Sequence, residues 1–197
     1  MNSDRRLKKD FTALKKYIFD NYEDDDAVLF PNCKEGASFD SAFLDMRHFV
    51  ILMKGPKDSP YENGLFEFET VIPNDFPMKP PEIKCKTEIY HPNISKNHVC
   101  VETLSAGWSP ALGLKQVFMS IYAVMFAPHG SENRSAEKLT KKDLMHHDNF
   151  LKKASDTTAR VSNAQAIVVY DPPKKQSLDA QECTTLIVYD KNIEKYH

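Results

Sequence analysis

Cys100 is the residue in this sequence around which chemistry can be built, with His98 two positions before it and His91 nine before it. A thiol attacks as its thiolate, so an imidazole that takes its proton, oriented by a third polar group, would make a cysteine hydrolase. Those groups generally come from distant parts of a chain, and spacing alone leaves that reading open. Beside it stands a plainer one, in which a lone intracellular cysteine is a small buried hydrophobe. Cys33, Cys85 and Cys183 take the plainer reading. The four cysteines contain no C-x-x-C pair, which argues against a zinc knuckle or a disulfide framework and for reduced thiols. No G-x-x-x-x-G-K run is present to cradle a phosphate.

The elements that must hold these residues can be read from periodicity. Leu7, Phe11, Leu14, Tyr17 and Ile18 lay an apolar stripe along one face of an opening helix. Its other face carries Arg5, Arg6, Lys8, Lys9, Lys15 and Lys16, a basic surface that is either solvated or a dock for an acidic partner. The run Arg47 to Leu52 is β-branched and aromatic, and the turn residues from Gly55 to Pro60 end it. In Leu65 to Ile72, Phe66, Phe68, Thr70 and Ile72 alternate with Leu65, Glu67, Glu69 and Val71; in Glu82 to Lys86, Ile83 and Cys85 share a face. These predict successive antiparallel strands with Cys85 packed inside. Between the last two, Pro73 to Pro81 lacks the N–H donors for a full ladder and predicts an extended surface loop.

Residues 87–112, which hold His91, His98, Cys100 and Trp108, show no sustained period. Irregular segments on a rigid scaffold are where chemistry commonly sits. Leu114, Val117, Phe118, Ile121 and Met125 then predict a buried helix, and Ser135 to Ala154 a further helical stretch. The runs Ala166 to Asp171 and Thr185 to Asp190 are strand patterns that would pair with each other or with a sheet edge. The chain thus divides into a domain over 1–154 and a β-prone extension over 155–197.

With 41% hydrophobic and 27% charged residues and a net charge of −2 over 197 residues, the composition is that of an ordinary folded domain. A near-neutral charge argues against bulk nucleic-acid binding. No stretch reaches the length of a membrane span or of a signal peptide's apolar core, so the expected location is the cytoplasm, the nucleus or both.

Five blocks occur in order: Gly55-Pro56-Lys57-Asp58-Ser59-Pro60-Tyr61-Glu62-Asn63-Gly64, Phe76-Pro77-Met78-Lys79-Pro80-Pro81, Tyr90-His91-Pro92-Asn93-Ile94, Cys100, and Trp108-Ser109-Pro110-Ala111-Leu112. Together they resemble the signature blocks of ubiquitin-conjugating enzymes, at nearly the family spacing over about residues 5–154. The resemblance implies an α/β (α+β) fold with an N-terminal helix, a four-stranded antiparallel meander, a buried central helix and C-terminal helices. It implies that Cys100 accepts ubiquitin or a ubiquitin-like modifier as a thioester from an activating enzyme and passes it to a substrate lysine, usually with a ubiquitin ligase.

By the same resemblance, Asn93 is an oxyanion donor or a loop-bracing residue, and His91 braces the loop. Glu132 or Glu102 is an acidic helper near the thiol. Met78, Pro110 and Ala111 are implied as ligase contacts, Arg5, Arg6, Lys8 and Lys9 as activating-enzyme contacts. No metal or organic cofactor is implied. Two departures stand out: Asn93 to Cys100 is one residue shorter than usual, and Ala127-Pro128-His129-Gly130 replaces the commoner Asp-Pro-Asn-Pro. The rivals are a non-catalytic binding module of the same fold and the cysteine hydrolase.

Overall fold

The computed structural model describes residues 3–21, 28–32, 43–126 and 147–164. Helix α1 (Ser3–Asn21) buries Leu7, Phe11, Leu14 and Ile18, four of the five stripe residues, while Tyr17 is half-buried. Four strands follow, β1 (Leu29–Pro31), β2 (His48–Lys54), β3 (Leu65–Val71) and β4 (Glu82–Cys85), paired antiparallel in the order β1-β2-β3-β4. The register sets Ile51 against Phe68, Met53 against Phe66 and Phe68 against Cys85, so one sheet face presents a continuous apolar surface. Side chains alternate across a pleated strand, which is why the period-two pattern of β3 and β4 translates directly into this face. Helix α2 (Leu114–Phe126) supplies Leu114, Val117, Phe118, Ile121 and Met125 to the same core. Phe11 of α1 meets Phe43 and Phe49 edge to face at 5.5 and 5.1 Å.

The β2–β3 connection folds back tightly. Asp58 and Asn63 hold left-handed backbone, conformations their side chains tolerate better than most. Gly55 is required by close approach, since a Cβ there would lie 1.7 Å from the Tyr61 carbonyl oxygen. After β4, a small hairpin of β5 (Ile94–Ser95) and β6 (His98–Val99) precedes a 3₁₀ turn over Glu102–Leu104.

One expectation is corrected. Pro73 to Pro81 is no extended surface loop: it turns through Phe76 N–H to Pro73 O and Met78 N–H to Asp75 O, and Phe76 is 1% exposed. Burying that phenyl ring outweighs the prolines' extended preference. The last described helix, α3 (His147–Ala164), runs through the expected boundary at 154/155, because Thr158 continues its buried face beyond Phe150 and Ala154. The central helix is buried along the expected face, Leu114, Val117, Phe118, Ile121 and Met125, with Phe126 at its end 62% exposed. The expected helix over residues 135–146 and the two strand-like runs after residue 165 lie outside the described residues.

Candidate active site around Cys100

A two-residue hairpin turn accounts for the short stretch between Asn93 and Cys100. Ile94 pairs with Val99 and Ser95 with His98, so only Lys96 and Asn97 form the turn. Continuing the pairing, the Cys100 N–H donates to Asn93 O at 2.7 Å. Asn93 and Cys100 are therefore cross-strand neighbours. Cys100 is half-buried and in no disulfide. Cys85, by contrast, is buried, with burial pushing its thiol up to about 12 and its Sγ donating to Thr87 O at 3.3 Å.

His91 organises the loop in front of the hairpin. Its Nε2 lies 3.1 Å from Val124 O and so donates, which leaves Nδ1 to accept the Asn93 N–H at 2.9 Å. Burial holds the imidazole down at about 4, neutral near pH 7, against a smaller upward pull from the Val124 carbonyl. With both nitrogens engaged, His91 has no lone pair to offer Cys100, which removes one of the two histidines a hydrolase could use. Tyr61 packs on it at 5.2 Å between ring centroids and donates its hydroxyl to Tyr90 O at 3.0 Å.

Asn93 braces the loop through its main chain. The residue is 8% exposed, and its Oδ1 is buried with no hydrogen-bond partner. Such an orphaned acceptor costs about 1–3 kcal/mol, a cost more easily understood at a reaction centre than in a passive core. Beyond the thiol, Glu102 is exposed at the start of the 3₁₀ turn. That turn is tied to α2 by the hydroxyl pair Thr103 and Ser120, 2.5 Å apart, with Ser120 donating to Val117 O. Nothing in the sequence signalled this pair, because neither residue belongs to a motif. Glu132 lies outside the described residues.

Met78 is 73% exposed on the proline-rich loop, and Pro110 and Ala111 are exposed on the loop after Trp108. Trp108 joins the two: its Nε1–H donates to Pro77 O at 2.9 Å and its ring lies 6.0 Å from that of Phe76. From the other side, Ser3 Oγ donates to Phe76 O, and Arg47 donates to Pro73 O at 3.2 Å while pairing with Asp4 at 2.6 Å. Along α1, Arg5, Lys8 and Lys9 are exposed. Arg6 is half-buried, bonding Asp10 at 2.9 Å and Leu112 O at 3.1 Å, so its charge serves the α1–α2 junction. Among the described residues, no cluster of three His, Cys, Asp or Glu could hold a metal ion, and no helix is long and apolar enough to cross a membrane.

A half-buried cysteine after a short hairpin, on a domain of one opening helix, a four-stranded antiparallel meander and a buried helix, defines a class: an α+β domain with a partly accessible cysteine outside its core. The family model for ubiquitin-conjugating enzyme matches residues 29–158. Ubiquitin-conjugating enzyme E2 13 of Saccharomyces cerevisiae is 40% identical over 89 residues, 45% of this chain and 58% of that protein. Ubiquitin-conjugating enzyme E2 pex4 of Dictyostelium discoideum is 33% identical over 150 residues, 74% of this chain and 91% of the other. A solved E2 domain of a Toxoplasma gondii ubiquitin conjugating enzyme superposes with a TM-score of 0.61 at 28% identity, covering 80% of this chain and 97% of that one. The chain belongs to the ubiquitin-conjugating enzyme family. The match to the yeast relative spans little more than half of that relative's length.

Proposed function

We propose that this chain accepts ubiquitin, or a ubiquitin-like modifier, from an activating enzyme as a thioester on Cys100 and transfers it to a substrate lysine. The observation that carries the proposal is the half-buried thiol held across the hairpin from Asn93. Exchange of one thioester for another needs only a small thiolate population, which a cysteine supplies near neutral pH without a dedicated triad. In the second step the lysine nitrogen attacks the carbonyl carbon and negative charge builds on oxygen. An amide donor aimed at that oxygen is worth roughly 10²–10³ in rate. Asn93 takes that role, supported by a side chain that leaves loop bracing to the backbone and to His91. Glu102, with Glu132 as the alternative, attracts the incoming ammonium. Met78, Pro110 and Ala111 form the ligase contact; Arg5, Lys8 and Lys9 form the activating-enzyme contact.

The test is a non-reducing gel after incubation with activating enzyme, ATP and ubiquitin. A reductant-sensitive adduct is expected on the wild type and none on Cys100→Ala, with a reductant-resistant ester on Cys100→Ser. Asn93→Ala is expected to melt no lower than the wild type, since it removes the orphaned Oδ1, yet to discharge its thioester to lysine about a hundredfold more slowly. No adduct on the wild type would overturn the proposal in favour of a non-catalytic module; turnover of an ester without activating enzyme would favour the hydrolase.

A further inference from the structure

The transfer step leaves one imidazole beside the thiol unused. From His98 to Glu102 the chain alternates in burial: Val99 and Val101 are 3% and 4% exposed, His98 and Glu102 are exposed, and Cys100 lies between. Val101 has extended backbone, φ −125° and ψ 147°, so the strand geometry of β6 continues past the cysteine. In extended chain, alternate side chains share a face, with residues two apart separated by about 6.6 Å along the strand. His98 and Cys100 therefore share one outward face, and Glu102 follows at the start of the 3₁₀ turn.

Both flanks are fixed. The pairing of Ser95 with His98, reinforced by Ser95 Oγ donating to His98 O at 3.3 Å, holds the His98 backbone. Among the described residues, none hydrogen-bonds the His98 ring. Glu102 O accepts the Ser105 and Gly107 N–H groups at 3.0 Å each. Its side chain lies over Gly107, where a Cβ would come within 2.7 Å of Glu102 Cγ, so the glycine opens the space the carboxylate stem fills.

We infer that His98 is a further catalytic residue of the transfer step, accepting a proton from the acceptor lysine as it attacks the thioester. The inference rests on the reading that Cys100 carries that thioester. Lysine arrives as an ammonium and ends as an amide N–H, so two protons leave nitrogen. One departs before attack; the other departs as the C–N bond forms and the C–S bond breaks. The first goes to solvent water; His98 takes the second, and the Cys100 sulfur leaves with the bonding electron pair as thiolate, which is reprotonated by the His98 imidazolium or by water. Glu102, on the opposite flank, holds the ammonium before it is deprotonated. Neither role can fall to His91, whose two nitrogens are already engaged.

The test uses the full chain, charged to completion with ubiquitin by activating enzyme and ATP, then depleted of ATP and mixed with free lysine. Discharge is followed for the wild type, His98→Ala and His98→Gln. Both variants are expected to discharge at least tenfold more slowly, less than the roughly 10²–10⁴ a positioned proton acceptor supplies because water can substitute in part. Imidazole added to the buffer is expected to restore His98→Ala while leaving the wild type unchanged. Wild-type discharge by both variants, or full recovery by glutamine, which keeps polarity but accepts no proton, would overturn the inference. Failure of the wild type to charge would overturn the conjugating reading instead.

Discussion

The imidazole of His91 shows how one buried side chain carries both geometry and a liability. Its neutral ring orients the Asn93 backbone through Nδ1 and ties the loop to α2 through Nε2. Burial lowers its proton affinity to about 4 in the folded protein, against an ordinary value near 6.5 once unfolded. The sign follows by linkage. Above about pH 6.5 neither state binds the proton and this group costs nothing. As pH falls from 6.5 towards 4, the unfolded chain takes up a proton that the folded chain refuses, and stability drains away. The loss approaches about 3 kcal/mol by pH 4 and is then complete. Urea titrations at pH 7.5 and 5 are expected to show a loss of about 2 kcal/mol in the wild type that is missing from His91→Gln. Equal losses in the two proteins would mean the ring is protonated in the native state. An NMR spectrum at pH 5.5 checks the same point directly, with the neutral Nε2–H tautomer expected.

Among the elements, the proline-rich loop is the one whose conformation depends most on its neighbours. Ser3 of α1, Arg47 before β2 and Trp108 beyond the hairpin each donate to one of its carbonyls, at Phe76, Pro73 and Pro77. Met78 thus projects from a loop gripped at three points by distant segments, an arrangement suited to a docking surface that loses little entropy on binding. Trp108→Phe keeps a ring against Phe76 but deletes the bond to Pro77, and about 1 kcal/mol of stability is expected to go with it. Trp108→Ala is expected to cost about 3 kcal/mol, towards the low end for a large aromatic because the indole is only half-buried. Denaturant midpoints check both, and equal midpoints for the phenylalanine variant and the wild type would show the indole N–H to be idle. This loop also marks the limit of what periodicity can read. Strands β3 and β4 and helices α1 and α2 were legible because one apolar face repeats along each, and β2 because it is a β-branched and aromatic run closed by turn residues. Pro73 to Pro81 has no such repeat; its fold is decided by a single phenyl ring finding the core. Strand β1 escaped for a related reason, since three residues are too few for alternation to register. At the site, Cys100, Asn93 and His91 were legible as a motif, whereas the Thr103 and Ser120 pair exists only because the turn and α2 meet in space.

At the scale of the whole molecule, the question is where the folded unit ends. Helix α3 closes the side of the domain that carries Tyr90 and the β2–β3 connection: Phe150 lies 5.8 Å from the Tyr90 ring, and Ala154 and Thr158 are buried. Past residue 154 the helix is still engaged with the domain. Thr158 reaches Gly64 so closely that a Cβ there would meet its Cγ2 at 2.8 Å, and Ser162 Oγ donates to Asn63 O at 3.0 Å. Arg160 pairs with Glu88 at 2.7 Å, but both are exposed and the pair adds little. A chain ending at residue 154 would therefore uncover the Gly64 and Phe66 edge and lose the buried threonine. Compared with a chain ending at residue 164, it is expected to be about 2 kcal/mol less stable, the sum of one part-buried side chain and one hydrogen bond. That corresponds to a melting temperature lower by about 5 °C for a domain of this size. Calorimetry on the two truncations decides the matter. If they melt together, the segment after residue 154 is an appendage; if the shorter one melts lower, the helix past Ala154 is part of the folded unit, packed through Thr158 and Ser162 on the turn before β3 that holds Asn63 and Gly64.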